Sequence, residues 1–236
     1  MYNGSTIWRD QICSRPRRFA VGGVVRVIAI GALFLGIAGA FAPLFAEETP
    51  TISERAQIAP QAVILQFIEK VENARVLETD QLYRTQLAHL VPVVGDAFDM
   101  RAMSAAIVGR VVWRGWSEDE KENFSSIMTE FLAATITSRL ELETDAPTEI
   151  QATIDGPRGT KIVQTVSTQN GENIRVDYRL SQIDRGWAIV DIVADAKVSE
   201  VARRRAEFLG IIRSQGHAGI IAAIGKKLEQ LDRAGT

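Results

Sequence analysis

The chain has one cysteine and two histidines in 236 residues. Cys13 falls near the N-terminus, and nothing beyond residue 46 carries a thiol. A domain without cysteine has no disulfide and no thiolate ligand or nucleophile, so a hydrophobic core must hold it. His89 and His217 belong to helical stretches at opposite ends of the remaining chain, without the spacing of a zinc site or a nucleophile–base pair. No Gly-rich phosphate loop follows a strand pattern, so no metal, nucleotide or other cofactor is expected. There is no internal repeat and no low-complexity tract. Positive charge is also short. The formal charge is −2 with 27 basic and 29 acidic residues. Residues 1–46 hold five of the basic side chains and one of the acidic ones, which leaves 22 against 28, or −6, in the rest. A net negative domain lacks the field that generic nucleic-acid or anionic-membrane binding needs.

The N-terminus reads as an export signal. Arg15, Arg17 and Arg18 form a basic region, residues 27–42 are an apolar run, and Leu44-Phe45-Ala46 precedes Glu47-Glu48. Cleavage is expected after Ala46, which places the mature protein in the periplasm. An uncleaved inner-membrane anchor is the alternative, although the run is short for a span and Arg26 interrupts its start. Arg17-Arg18-Phe19 lacks the surroundings of a twin-arginine signal. Residues 47–59 read as a flexible linker, and residues 60–236 as one domain, long enough for a single core.

The centre of that domain is residues 149–194, which predict four strands and three turns. Asp155-Gly156-Pro157-Arg158-Gly159, Asn170-Gly171 and Asp184-Arg185-Gly186 supply the residues that hairpin turns need. Ile174, Val176, Tyr178 and Leu180 alternate with Arg175, Asp177 and Arg179, the pattern of a strand with one apolar face. The flanks read as helix. Pro60 suits a first turn, followed by Val63, Ile64, Phe67, Ile68 and Val71. Asp80 is a candidate cap for a helix with Leu82, Leu87 and Leu90 inward, ended by Val91-Pro92. Asp99 is a candidate cap for a helix with Phe98, Met103, Ile107 and Val111 on one face. Ser117-Glu118-Asp119-Glu120 is a capping box opening the longest helix, with Phe124, Ile127, Met128, Phe131, Ile136 and Leu140. Pro147 ends the approach to the sheet. Ser199 caps a helix carrying Val201, Phe208 and Ile212, and Ile220, Ile221, Ile224, Leu228 and Leu231 follow Gly216. The expected fold is α+β: a four-stranded antiparallel meander covered by N- and C-terminal helices, with an apolar layer that is either filled or a cavity.

Two charges break the pattern. Val201, Arg205, Phe208 and Ile212 fall on one stripe, and alternation puts Asp191 beside Trp187, Ile189 and Val193. Buried charges need partners, so the sequence predicts a structural ion pair of Asp191 with Arg205, or of one of them with Asp99. A ligand head group facing Arg205 is the alternative.

Short motifs, in order, carry a resemblance. They are Phe98-Asp99-Met100, Val108-Gly109-Arg110, Trp113-Arg114, Ser117 with Phe124 and Phe131, and Gly186-Trp187 leading to Asp191 and Val198-Ser199. Together they resemble the toluene-tolerance Ttg2/MlaC family, periplasmic auxiliary proteins of ABC-type lipid transport. The run Val198-Ser199-Glu200-Val201-Ala202-Arg203-Arg204-Arg205-Ala206-Glu207-Phe208 is similar to the hopanoid-biosynthesis-associated HpnM branch. Arg204-Arg205 stands where the common form has a Tyr-Arg pair. The resemblance implies a non-enzymatic lipid shuttle whose lipid lies between sheet and helices. It would carry phospholipid, or a hopanoid as in the branch, between an inner-membrane ABC-type or RND-type complex and an outer-membrane acceptor. With that implication, the lipid-binding candidates by periodicity are Phe98, Met103, Ile107, Phe124, Met128, Phe131, Val176, Tyr178, Ile189, Phe208 and Ile212. Two other functions stay open. One is an adaptor with a filled core and no ligand. The other is an acid–base enzyme acting on a polycyclic lipid through Asp99, Asp191 and Tyr178.

Overall fold

The computed structural model describes residues 59–77, 81–140, 146–169 and 171–235. All belong to the second of two compact units, Glu48–Thr236. The expected leader, nearly all of the expected linker, Asp80 and Asn170 lie outside the described residues.

Among the described residues, five helices precede the sheet: α1 (Pro60–Arg75), α2 (Leu82–Ala97), α3 (Met100–Val108), α4 (Arg110–Gly115) and α5 (Glu118–Thr137). Local chemistry sets several of their ends. Pro60 opens α1. Asp99 caps α3 by accepting from the Ala102 N–H at 2.9 Å. Ser117 and Glu120 form the reciprocal capping box of α5. Several expectations fail here. Helix α2 runs straight through Pro92, because burial of Leu90, Val93, Val94 and Ala97 on one face outweighs the backbone hydrogen bond that proline removes. Leu82, at the start of α2, faces solvent. The stretch 96–114 is also not one helix. Phe98 is extended and pairs with Ile189, and Gly109 at φ +92° ends α3. Val111 therefore falls on a separate turn and is exposed rather than buried beside Ile107.

The sheet is β1 (Ala146–Asp155), β2 (Lys161–Gln169), β3 (Glu172–Ile183), β4 (Gly186–Ala194) and β5 (Val198–Ser199), an antiparallel meander in sequence order. It has five strands, not four. The fifth is two residues long and carries no alternation to read. Pro147 lies inside β1 rather than before it. An edge strand tolerates proline because one side of its ladder is unpaired.

Strand β4 holds the correction with the widest consequence. Leu180 pairs with Ile189, but Arg179 pairs with Asp191, so Val190 is an extra residue. Such a bulge changes the parity of everything beyond it. Cross-strand partners share a face. Leu180, Ile189, Tyr178 and Ile192 therefore lie on one side, and Arg179, Asp191, Asp177 and Val193 on the other. Asp191 is not on the Ile189 face as simple alternation implies.

A final helix, α6 (Glu200–Gly235), breaks at Gly216, where φ is +63° and ψ −155°. That conformation is close to inaccessible without glycine. Asp191 anchors the start of α6: Ser199 Oγ donates to its Oδ2 at 2.7 Å and the Val201 N–H to its Oδ1 at 3.2 Å. Arg185, in the β3–β4 turn, donates to the carbonyls of Asp96, Gly95 and Phe98 at the end of α2. A cation at a helix C-terminus satisfies free carbonyls and the dipole together. The Asp99 N–H donates to the Ile189 carbonyl at 2.9 Å. These bonds fix α2 and α3 against β4.

The core joins the layers. Phe67 of α1 meets Phe98 edge-on at 5.2 Å and Tyr178 of β3 at 6.1 Å. Val163, Leu180 and Ile189 of the sheet are fully buried, as are Phe124, Phe208, Ile220 and Ile224 from the helices.

Candidate functional site: an apolar crevice with a charged wall

Helices α3, α5 and α6 meet at a crevice lined by Met100, Met103, Ile107, Met128, Phe131, Leu132, Glu200 and Arg204. Its volume is about 10 Å³. The sequence explains the lining. Met103 and Ile107 are four apart on α3, and Met128 and Phe131 are three apart on α5, so each pair shares a face. Met100 and Leu132 extend the two rows.

The wall contributed by α6 is charged. Arg204 Nε donates to Glu200 Oε1 at 2.6 Å, and Nη1 donates to Glu207 Oε2 at 2.9 Å. Its guanidinium lies 4.3 Å from the centre of the Phe131 ring, in cation–π range. Lys227 holds the other oxygen of Glu207 at 2.7 Å, and Arg203 holds Glu200 at 2.5 Å. Burial by itself would push the Glu200 carboxyl up. Arg204 and Arg203 outweigh it and hold Glu200 below its ordinary range. Glu207 is also held low, with Lys227 and Arg204 opposing the effect of burial.

Of the lipid-binding candidates, Met103, Ile107, Met128 and Phe131 line the crevice. Phe98, Phe124, Ile189, Phe208 and Ile212 are buried in the surrounding core. Val176 and Tyr178, on β3, are half-buried. Burial pushes the Tyr178 hydroxyl up to about 12. Sequence reasoning missed Met100, Leu132, Glu200 and Arg204. The available signal was Arg204, which lies beside the out-of-pattern Arg205.

Asp191 and Arg205 do not pair. Asp191 meets Ser199, the Val201 N–H and, at 3.7 Å, Arg179 Nη1. Arg205 is exposed and donates from Nη1 to the Ala106 carbonyl at 2.9 Å. The bulge at Val190 turns Asp191 to the opposite face. Ile211 packs into the core as well as Phe208 and Ile212, and this places the buried stripe of α6 on the Arg204 side. Arg204 is buried, not Arg205. Asp99 pairs with neither: its carboxylate is the α3 cap. The three acid–base candidates are thus apart in role, Asp99 and Asp191 each capping a helix and Tyr178 packed on Phe67. Among the described residues no cluster of three or more His, Cys, Asp or Glu side chains is arranged to hold a metal. His217 packs edge-on against Trp116 at 5.0 Å.

This arrangement of helices and sheet can be set beside known proteins. The family model described as MlaC protein matches residues 61–226. The chain belongs to the MlaC family. Its fold is similar to that of the phospholipid-binding protein from Ralstonia solanacearum, solved in complex with a phospholipid. The two superpose with a TM-score of 0.61 at 16% identity, covering 74% of this chain and 99% of that one. Comparison with curated proteins gives no match. The MlaC match takes in the α3–α5 motifs, the meander and most of α6.

Proposed function

We propose that this MlaC-family chain is a periplasmic lipid carrier that holds a phospholipid or a hopanoid-type lipid between its helices and sheet and breaks no bond. The observation that carries the reading is the crevice between α3, α5 and α6, lined by Met100, Met103 and Met128. At about 10 Å³ it has room for no more than a single water molecule. A lipid enters only if the three helices spread. Methionine suits such a wall, because unbranched thioether side chains refill an irregular gap at small cost. The break at Gly216 lets the first half of α6 tilt without the second. Each buried CH₂ then contributes about 0.8 kcal/mol, so release requires a partner that reopens the helices. The phospholipid bound by the Ralstonia protein supports this occupant.

The finer assignments follow from the same reading. Residues 1–46 are a cleaved leader, 47–59 a tether and 60–236 the lipid-binding domain. The partners are an inner-membrane ABC-type or RND-type complex and an outer-membrane acceptor. The stretch from Val198 to Phe208, with Arg204 in the crevice wall, is the part of the chain that supports the HpnM-like branch, and the lipid is left as phospholipid or hopanoid for the experiment to choose. The closed crevice favours one competitor, an adaptor that binds no lipid. Native mass spectrometry decides between them. The exported protein is purified without detergent from cells expressing the full chain, then extracted with solvent. A stoichiometric lipid is expected, and its mass distinguishes phospholipid from hopanoid. A protein that is empty and also takes up no added lipid is the adaptor.

A further inference from the structure

On the other side of the α3–α6 seam lies an open basin of about 430 Å³, lined by Ala105, Ala106, Gly109, Arg110, Trp113, Arg114 and Arg205. Three of its lining residues are arginines and none is acidic. Among the described residues, no carboxylate lies within ion-pair distance of Arg110, Arg114 or Arg205. This is out of keeping with a domain whose formal charge is −6 beyond residue 46. Arg110 and Arg114 are four apart on the same face of α4, a spacing at which like charges repel. Arg205 is fixed rather than loose. Its Nη1 is bonded to the Ala106 carbonyl, and its guanidinium lies over Gly109, where a Cβ would come within 2.8 Å of Nη1. Gly109 is required by its φ of +92°. The fixed guanidinium keeps further donors for an acceptor in the basin, in the planar fork that suits a phosphate.

We propose that the arginine basin binds the phosphate of a lipid head group whose tails occupy the crevice. The proposal rests on the carrier reading and adds the head-group chemistry to it. The two sites share one seam. Ile107 lines the crevice and Gly109, two residues on, lines the basin. Arg204 faces the crevice and Arg205 the basin. Helices that spread to admit a tail bring its head out beside the three guanidinium groups. Trp113 supplies the apolar flank of the basin. The ligand class is a phosphate ester, and a concave basin with one prefixed arginine favours it over a flat acidic protein surface.

The test uses the exported protein with three probes: short-chain phosphatidylglycerol, diacylglycerol of the same chains, and inorganic phosphate. The variant is Arg110→Gln/Arg114→Gln, both exposed, with Arg205 left to cap α3. Unchanged thermal unfolding checks its fold, and Arg110→Lys/Arg114→Lys keeps charge while losing the fork. The preference for the phosphate-bearing lipid over diacylglycerol is expected to fall about tenfold or more in the Gln variant, and partly in the Lys variant. Inorganic phosphate is expected to compete with the head group in the parent and not in the Gln variant; phosphate binding to the parent in the absence of any lipid binding would identify a free-phosphate site and overturn the lipid source. If lipids bind but parent and variant show the same preference, the basin proposal fails and the carrier stands, leaving the arginines to an acidic partner surface. If neither lipid binds, the carrier reading fails first.

Discussion

Replacing Arg204 with methionine probes the charged wall of the crevice. The Arg204 side chain is 7% exposed, against 17% for Glu200 and 29% for Glu207. Removing one partner of a buried pair costs about 3–5 kcal/mol when the other charge is left alone. Here each stranded carboxylate keeps a second cation, Arg203 for Glu200 and Lys227 for Glu207, and neither acid is fully buried. The expected loss is therefore about 2 kcal/mol. For a domain of this size that lowers Tm by roughly 4–8 °C, read by circular dichroism near pH 7. Adding Glu200→Gln removes one stranded charge and recovers part of the loss. Acid should erase the difference. Both carboxyls are held below their ordinary value of 4.5 in the folded chain. A depressed carboxylate stabilises the fold above its unfolded value, and that contribution is lost as pH falls through its folded value. The gap between parent and variant is thus full at neutral pH and narrows below about pH 4.5. A gap that stays constant down to about pH 3, or a Tm change under about 1 °C, refutes the reasoning.

Three further predictions come from single positions. Gly109→Ala forces a side chain onto a φ of +92°, so a loss of about 1–3 kcal/mol is expected in denaturant unfolding; a neutral result contradicts the backbone strain argued from that φ. Asp191→Asn should cost about 1–2 kcal/mol through the α6 anchor. Its effect should add to that of Arg205→Ala within about 0.5 kcal/mol, and a larger coupling in the double-mutant cycle would mean the two do interact. Met128→Trp overfills the crevice, so the protein should co-purify with less lipid; equal loading removes Met128 from the site.

Local features of this chain could be read in advance. The turn at residues 155–159, the Asp99 cap and the Ser117–Glu120 box each depend on residues within a few positions of one another, and the structure has them there. The α+β class was legible for the same reason, since period and turn residues are local properties. The MlaC-like order of motifs was legible too, and the family match covers it. At the site, the apolar rows on α3 and α5 could be read from spacing, but the residues that close the crevice could not.

What the sequence determined by itself is therefore the set of elements and their apolar faces. Tertiary structure decided how those faces meet. The bulge at Val190 exists only in the pairing of β3 with β4, and it moves Asp191 to the other side of the sheet. Whether Arg204 or Arg205 is buried depends on how α6 is rotated against α3 and α5, a matter of packing among residues about 100 apart. Pro92 stays within a helix because burial on one face of α2 outweighs a missing hydrogen bond. Each of these outcomes was settled by contacts between residues distant in sequence, and periodicity along one element carries no information about them.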